Sequence, residues 1–554
     1  MEYITPLQHL QNHVASHPNK VFLHQPKNRQ WQEYTWAEVE HQARCIASGI
    51  KSQGFVAGDR IGIMSKNCAH WLITDLAIMM AGMISVPIYS TADHNNISYI
   101  IEHTDMKAIF IGKLDATDEV QTAIDSDNKL LSIAFPYPTV PTMVQFSDWL
   151  TQYKPLENVH QSSIDDIATI VYTSGSTGRP KGVVLSHKNM ASVAHSLINT
   201  FKVPNSFRAM SYLPLAHIVE RSNEYVALHA GVEMFFVESL DTFIDDLQYA
   251  QPTGFISVPR LWTIFQSNVL KKIPQNTLNI LLNIPFVGML ITKKIRQNLG
   301  LHHSQWFVSG SAPIARSLLD WYEKLNIPIS EGWGMTETSG AACINYNWSK
   351  ENFGTIGTPL PCVEMKLSPV GEILIRGDAV FKGYYLDEQA TVESFSDGWF
   401  HTGDCAEVNE RGEYTIIGRT KDKFKTSKGK YVAPIPIESL LCTNFDIEQV
   451  CVMGSGMKQP VALIVLTAMV NKRDEEVINR LNITLEKVNS ELESHQKLDY
   501  LFICKESWSV ENNLLTPSMK IKRNLIEAKY NGLTNKEISI TVVYEEDVLK
   551  RFEP

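Results

Sequence analysis

From about Thr35 to Thr420 the chain alternates helix-period apolar patterns with short β-branched runs, such as ATIVY at 168–172 and GEILI at 371–375, separated by glycine, proline and serine turns. That rhythm predicts α/β layers in which helices cover sheets. From Lys421 onward the texture changes. An uninterrupted apolar run at 461–466 reads as a buried strand, a charged helical pattern follows at 472–496, and a short motif block lies at 516–523. The expectation is a large N-terminal domain of layered α/β sheets over residues 1–420, and a smaller α+β C-terminal domain over 421–554. The joint is the polar run GRTKDK at 418–423, a solvated turn or a hinge about which the smaller domain rotates. Two apolar stretches could suggest membrane spans. The first, Trp71 to Pro87, is broken by Asp75; the second, Leu278 to Thr292, is too short and contains Pro285.

Composition changes this picture little. The 554 residues are 44% hydrophobic and 20% charged, as in ordinary globular proteins. A net charge of −10 gives no general attraction to nucleic acid, so none is expected as a partner. Eight scattered cysteines with no C-x-x-C pair suit isolated thiols in a reducing cytoplasm, and the amino terminus lacks the basic and apolar regions of a secretory signal. A cytoplasmic location is expected, with contact at the inner face of a membrane as a further option.

The densest chemistry is the string YTSGSTGRPKG at 172–182, which follows a β-type run and combines three glycines, four Ser or Thr hydroxyls and one lysine. Glycines let backbone N–H groups converge on an anion, hydroxyls add donors and Lys181 adds charge. The string is not G-x-x-x-x-G-K-[ST], which disfavours a P-loop NTPase; the competing reading is a flexible serine-glycine loop. The string resembles the phosphate loop of the adenylate-forming superfamily, which includes acyl-CoA synthetases, luciferases and peptide-synthetase adenylation domains. The resemblance extends over nearly the whole chain.

That resemblance implies ATP-binding roles for Thr173, Ser174, Gly175, Ser176, Thr177, Gly178 and Lys181. It implies the same for Ser311 and Ala312 on the adenine side, and for Glu331, Gly332, Trp333, Gly334 and Met335 of the second core motif. Thr336 would donate to the α-phosphate and Glu337 would be the magnesium ligand, a hard oxygen donor suited to that ion. Trp333 offers a flat apolar wall to the base or the acyl pocket. A lone TET tripeptide would otherwise read as a helix cap, and a lone Gly-Asp as a turn. The family pattern instead makes Asp404 the acceptor of both ribose hydroxyls, joined by Arg419. In LTPSMKIKR at 515–523 it places the adenylation lysine at Lys520, with Lys522 as the neighbouring alternative. A cation there would neutralise charge building on the phosphate oxygens as the carboxylate attacks. His217 falls beside the acyl pocket as a substrate-binding residue; a carboxylate nucleophile is ionised at pH 7 and needs no general base. Lys421 or Asp422 would be the hinge, and Lys428 and Gly429 would line the thiol path.

The segment FKTSKGKYVAPIPIE at 424–438 resembles the long-chain acyl-CoA synthetase version of this region. The implied reaction joins a long-chain fatty acid to coenzyme A through acyl-AMP, with ATP and Mg²⁺. The alternatives are a fatty acyl-AMP ligase loading a carrier protein, and a catalytically inactive nucleotide-binding regulator on the same fold. Each buried methylene adds about 0.8 kcal/mol, so a tunnel would select a range of chain lengths rather than one. Lys271, Lys272, Lys293, Lys294 and Arg296 bracket the apolar stretch near residue 285, where docking on a bilayer would shorten delivery of fatty acid. Because this charge flanks the stretch instead of lining one helical face, the expected arrangement is a core helix with solvated ends.

Overall fold

The computed structural model describes residues 3–115, 117–126, 129–173, 179–467, 470–510, 512–516, 520–534 and 540–552. The apolar run that Asp75 interrupts forms the helix Ala69–Ala81, whose residues are all buried, followed by the strand Ile84–Ile88. A helix apolar on every side belongs in an interior, and this one packs in the largest core cluster with Trp36, Phe110 and Tyr225. Asp75 survives there because Arg221 Nη1 donates to its Oδ2 at 2.8 Å and Nη2 to its Oδ1 at 3.2 Å. Arg221 Nη1 also reaches Glu224 Oε2 at 2.6 Å. The sequence interruption is thus a buried ion cluster.

Four sheets carry the first 420 residues. An eight-stranded sheet has the spatial order 383–384, 181–186, 167–173, 84–88, 60–64, 108–111, 131–134, 144–145; its last six strands pair in parallel. A five-stranded sheet begins with the parallel strands Gly254–Ser257, Trp306–Ser309 and Ile329–Trp333. A four-stranded sheet contains Val21–Lys27, and a five-stranded antiparallel sheet contains Glu372–Gly377, Trp399–Val408 and Tyr414–Arg419. The expected strands at 168–172 and 371–375 are therefore present, shifted by a residue or two at their ends.

Beyond residue 420 a separate four-stranded sheet runs in the order 447–453, 461–466, 501–503, 542–544, flanked by the helices Pro434–Leu441, Glu475–Glu491 and Arg523–Thr534. The central strand Val461–Leu466 is buried at every position, as its unbroken apolar run predicts. Two hydrophobic clusters, one on each side of this sheet, are built solely from residues after 423.

The expectation for 278–292 is corrected. Pro285 splits the stretch into the helices Gln275–Leu282 and Val287–Asn298, and Ile280, Ile284, Phe286, Met289 and Leu290 face outward. It is a hairpin with an open apolar face: Leu278, Gly288, Thr292 and Ile295 are buried and Leu282 and Ile291 pack against the core from its inner side. Among the described residues no helix is long and apolar enough to cross a membrane.

Candidate active site

Several of the predicted segments sit where strands end. The 172–182 string joins the antiparallel strands Ile167–Thr173 and Lys181–Ser186, with Thr173 opposite Lys181 at the base of the connection. The expected phosphate contacts Ser174, Gly175, Ser176, Thr177 and Gly178 lie outside the described residues. Ser311 and Ala312 follow the carboxyl end of the strand Trp306–Ser309, and Glu331 to Trp333 close the neighbouring strand, where Ser309 is in register with Glu331. Carboxyl ends of adjacent parallel strands are where open α/β sheets bind ligands. Ser311 has the left-handed φ of 67° there, which turns the chain sharply away from the sheet.

The Gly-Asp pair is not a turn. Asp404 lies within the strand Trp399–Val408 and is the direct partner of Arg419 on the antiparallel strand Tyr414–Arg419. Arg419 Nε donates to Asp404 Oδ1 at 2.8 Å, and Trp333 Nε1 donates to Asp404 Oδ2 at 2.9 Å. The indole therefore orients the carboxylate as well as offering a flat face. A carboxylate accepts about four hydrogen bonds, so these two leave capacity for two hydroxyls. The Asp404 charge raises the Arg419 guanidinium above the ordinary arginine range, keeping it cationic.

Glu337 belongs to the 3₁₀ turn Thr336–Thr338 and is buried. Met335 N–H donates to Thr338 Oγ1 at 3.0 Å and Ser339 Oγ donates to Ala379 O at 2.8 Å, tying down both ends of the turn. A Cβ on Gly334 would stand 2.2 Å from Gly340 O, so glycine is required where the loop doubles back. Burial raises the Glu337 carboxyl above its usual range, while Tyr384, Arg419 and Lys520 pull it down. Tyr384 Oη donates to Glu337 Oε1 at 2.9 Å, and the Lys181 ammonium lies 4.8 Å from the centre of the Tyr384 ring. One aromatic residue thus links the base of the phosphate loop to the carboxylate. Sequence reasoning missed Tyr384; its signal was Gly383-Tyr384 in a strand that pairs with residues 183–184, the continuation of the phosphate-loop string.

Lys520 comes from the other half of the chain. Thr516 N–H donates to Lys520 O at 2.8 Å and Lys522 N–H to Leu514 O at 2.9 Å, forming a narrow turn. Arg523 Nη2 fixes its base by donating to Glu438 Oε1 at 2.7 Å and Oε2 at 3.0 Å. Lys520 remains solvent-exposed, yet it stands in a protein-walled cleft that strips enough water to lower its ammonium from the ordinary lysine value. Arg419 pushes the same way, opposed by Asp404 and Glu337. Lys522 turns elsewhere, hydrogen-bonding Asn513 and facing Asp93.

His217 caps the helix Ile218–Ala230, its Nδ1 accepting from Val219 N–H at 3.3 Å. Burial, reinforced by Lys520, lowers the imidazole to about 4, so it is neutral at pH 7 with its proton on Nε2. Glu331, another buried carboxyl, is pushed up to about 8 by desolvation, against a 2.7 Å bond from Gly354 N–H.

The expected thiol-path residues make no hydrogen bond to this cluster among the described residues, whereas the expected hinge adjoins it at Arg419. Lys428 Nζ donates to Gln459 Oε1 at 2.6 Å, and Gly429 occupies a surface turn with φ 78°. Lys421 and Asp422 form the turn after the Arg419 strand, with Asp422 N–H donating to Arg419 O at 3.3 Å.

Glu337 fits a magnesium ion: a single buried carboxylate, disfavoured as an anion by burial, beside the base of the proposed phosphate loop. Mg²⁺ characteristically takes one or two carboxylates plus phosphate oxygens. Among the described residues no group of three or more His, Cys, Asp and Glu forms a protein-only metal cage.

A family model described as AMP-binding enzyme matches residues 10–385, and one described as AMP-binding enzyme C-terminal domain matches residues 421–539. Fatty acyl-CoA synthetase A of Dictyostelium discoideum is 31% identical, over 90% of this chain and 85% of its own. The long-chain-fatty-acid–CoA ligase FadD15 of Mycobacterium bovis is 28% identical, over 95% of this chain and 96% of its own. Among solved structures, the anthranilate CoA ligase AuaEII in complex with anthranoyl-AMP superposes with a TM-score of 0.80 at 19% identity, covering 96% of this chain and 98% of that one, which is a likeness of fold. With Trp333, Asp404 and Arg419 joined by hydrogen bonds, Tyr384 set between Lys181 and Glu337, and the family model spanning most of the sequence, the chain belongs to the AMP-binding enzymes, the adenylate-forming family.

Proposed function

We propose that this chain is a long-chain fatty acid:CoA ligase, forming acyl-AMP and pyrophosphate from ATP and then passing the acyl group to the CoA thiol. The observation that carries the chemistry is the approach of Lys520 to Asp404, Arg419 and Glu337 across the boundary between the two parts of the chain. The names of the relatives, fatty acyl-CoA synthetase and long-chain-fatty-acid–CoA ligase, support the substrate class.

In the first half-reaction a fatty carboxylate oxygen attacks the α-phosphorus, the bond to pyrophosphate breaks and both electrons leave with it. Asp404, held by Trp333 and Arg419, accepts the ribose hydroxyls. Lys520 and Lys181 place positive charge against the phosphate oxygens, where pre-set cations stabilise developing negative charge best. Thr336 donates to the α-phosphate. Glu337 would hold magnesium, which when bound would supply Lewis-acid neutralisation of phosphate charge. His217, neutral and with Nε2–H free to donate, orients the acyl carboxylate and takes no proton.

In the second half-reaction the thiol attacks the acyl carbonyl and AMP departs. Lys428 and Gly429 would be brought to the acyl-AMP by rotation of the part after residue 420 about Lys421 and Asp422, a motion that would also withdraw Lys520. The test is pyrophosphate release with ATP and Mg²⁺ across acids from acetate to long-chain and aryl, with and without CoA. CoA-dependent turnover peaking at long acids is the expected outcome. Stalling after one equivalent of acyl-AMP despite CoA would replace the acceptor with a carrier protein, and no release with any acid would refute the ligase reading.

A further inference from the structure

We propose that the helical hairpin Gln275–Leu282 and Val287–Asn298 is a docking surface for an anionic lipid bilayer. Its apolar side chains are uncovered: Phe286 is 79% exposed, Ile280 and Met289 64% and Leu290 63%. They cluster at the closed end of the hairpin, around Pro285. A contiguous exposed patch of this kind marks an interaction site, unlike scattered surface apolar residues.

Charge names the partner. From residue 247 to 319 the chain contains no Asp or Glu, while it carries Arg260, Lys271, Lys272, Lys293, Lys294, Arg296 and Arg316. In a protein of net charge −10 this is a concentrated reversal of sign. Arg296 is spent on the fold, donating to Asn326 O at 2.9 Å and Ser304 O at 2.8 Å. The four lysines are exposed, and none forms an ion pair among the described residues. Lys293 follows Phe286 by seven residues, about 10 Å along a helix. An interfacial segment buries its apolar face by about 5–10 Å, so a hairpin inserted tip-first brings this lysine to the headgroup layer. Lysines near an anionic membrane add attraction that salt screens. A two-fold contact between copies would instead press the same lysines against each other.

The backbone supports a built tip. Phe286 adopts φ 64°, a left-handed conformation costly for a bulky residue, which projects the ring outward. A Cβ on Gly288 would lie 2.5 Å from Leu282 O, so the two helices meet too closely there to slide.

The measurement is co-sedimentation of the full chain with phosphatidylcholine vesicles, with and without phosphatidylglycerol, over a salt series. The expected result is binding to the anionic vesicles that weakens as salt rises. M289E/L290E and K271Q/K272Q/K293Q/K294Q should each reduce affinity at least about tenfold. F286G relieves the strained φ, so it should keep or raise the melting temperature while weakening binding; a purely structural tip would lose both or neither. The proposal is overturned if the wild type stays in the supernatant, if the variants sediment like it, or if the hairpin proves to be a dimer contact that M289E/L290E dissociates. The readout uses no acid, ATP or CoA, so its failure leaves the ligase reading standing.

Discussion

Lys520 owes its assigned role to its surroundings, a cleft that lowers its ammonium and two carboxylates that keep it attracted to the site. Lys520→Ala is expected to slow acyl-AMP formation by about 10²–10³-fold. Conversion of preformed acyl-AMP to thioester should persist, and single-turnover assays of each half-reaction separate the two; equal loss of both would remove the assigned role. Tyr384 acts through another group, donating to Glu337 while its ring faces Lys181. Tyr384→Phe keeps the ring and deletes the donor. It should raise the Mg²⁺ concentration needed for half-maximal turnover several-fold and leave the acid KM near that of the wild type, which a Mg²⁺ titration of pyrophosphate release measures.

At the scale of elements, the helix Ile218–Ala230 connects the acyl side of the site to the magnesium side. His217 caps its start, and Ser222 Oγ donates to Ser339 O at 2.6 Å, just after the Glu337 turn. One turn of the same helix carries Arg221, which is fully buried between Asp75 and Glu224. Arg221→Met would leave Asp75 and Glu224 enclosed without their cation, a loss of about 3–5 kcal/mol. Urea unfolding should register that loss, and the matched double variant Arg221→Met with Asp75→Leu should recover part of it. A single variant as stable as the wild type would mean that water or proton uptake satisfies the carboxyls instead.

At the scale of the whole molecule, five wholly or partly buried histidines are expected to set the acid limit of stability. Burial lowers His9, His187 and His217 to about 4 and His70 and His229 to about 3, against about 6.5 in an unfolded chain. Between these values the unfolded state binds protons that the folded state refuses, so stability falls as pH drops from about 6.5 toward 4. Glu220 and Glu331 act oppositely. Burial raises both to about 8, so the folded state holds protons that the unfolded state releases, and stability falls as pH climbs from about 4.5 to 8. Histidines outnumber these carboxyls below pH 6.5, which predicts a stability maximum near pH 6–7 in denaturant melts. Early failure in acid is expected at the N-terminal helix Pro6–Ser16, where the His9 and His229 rings lie 3.9 Å apart. Domain rotation belongs to this scale too. Lys421→Pro restricts φ at the proposed hinge and should spare acyl-AMP formation while blocking thioester formation; normal thioester synthesis would relocate the hinge.

What the sequence determined by itself is local or repetitive: the alternating α/β elements, the buried strand 461–466, and motif strings whose residue types announce phosphate, ribose and carboxylate chemistry. These are legible because hydrophobic period and turn residues act over a few positions. Meetings between distant segments were legible only as family order. The indole of Trp333 on Asp404, Tyr384 between Lys181 and Glu337, and Lys520 rather than Lys522 in the cleft all depend on strand register and on packing of elements hundreds of residues apart. The same holds for residues 278–292, where composition suggests a core helix. Whether an apolar face is covered depends on what packs against it, and here Pro285 and the close approach at Gly288 fold the segment into a hairpin whose tip no other part of the described chain covers.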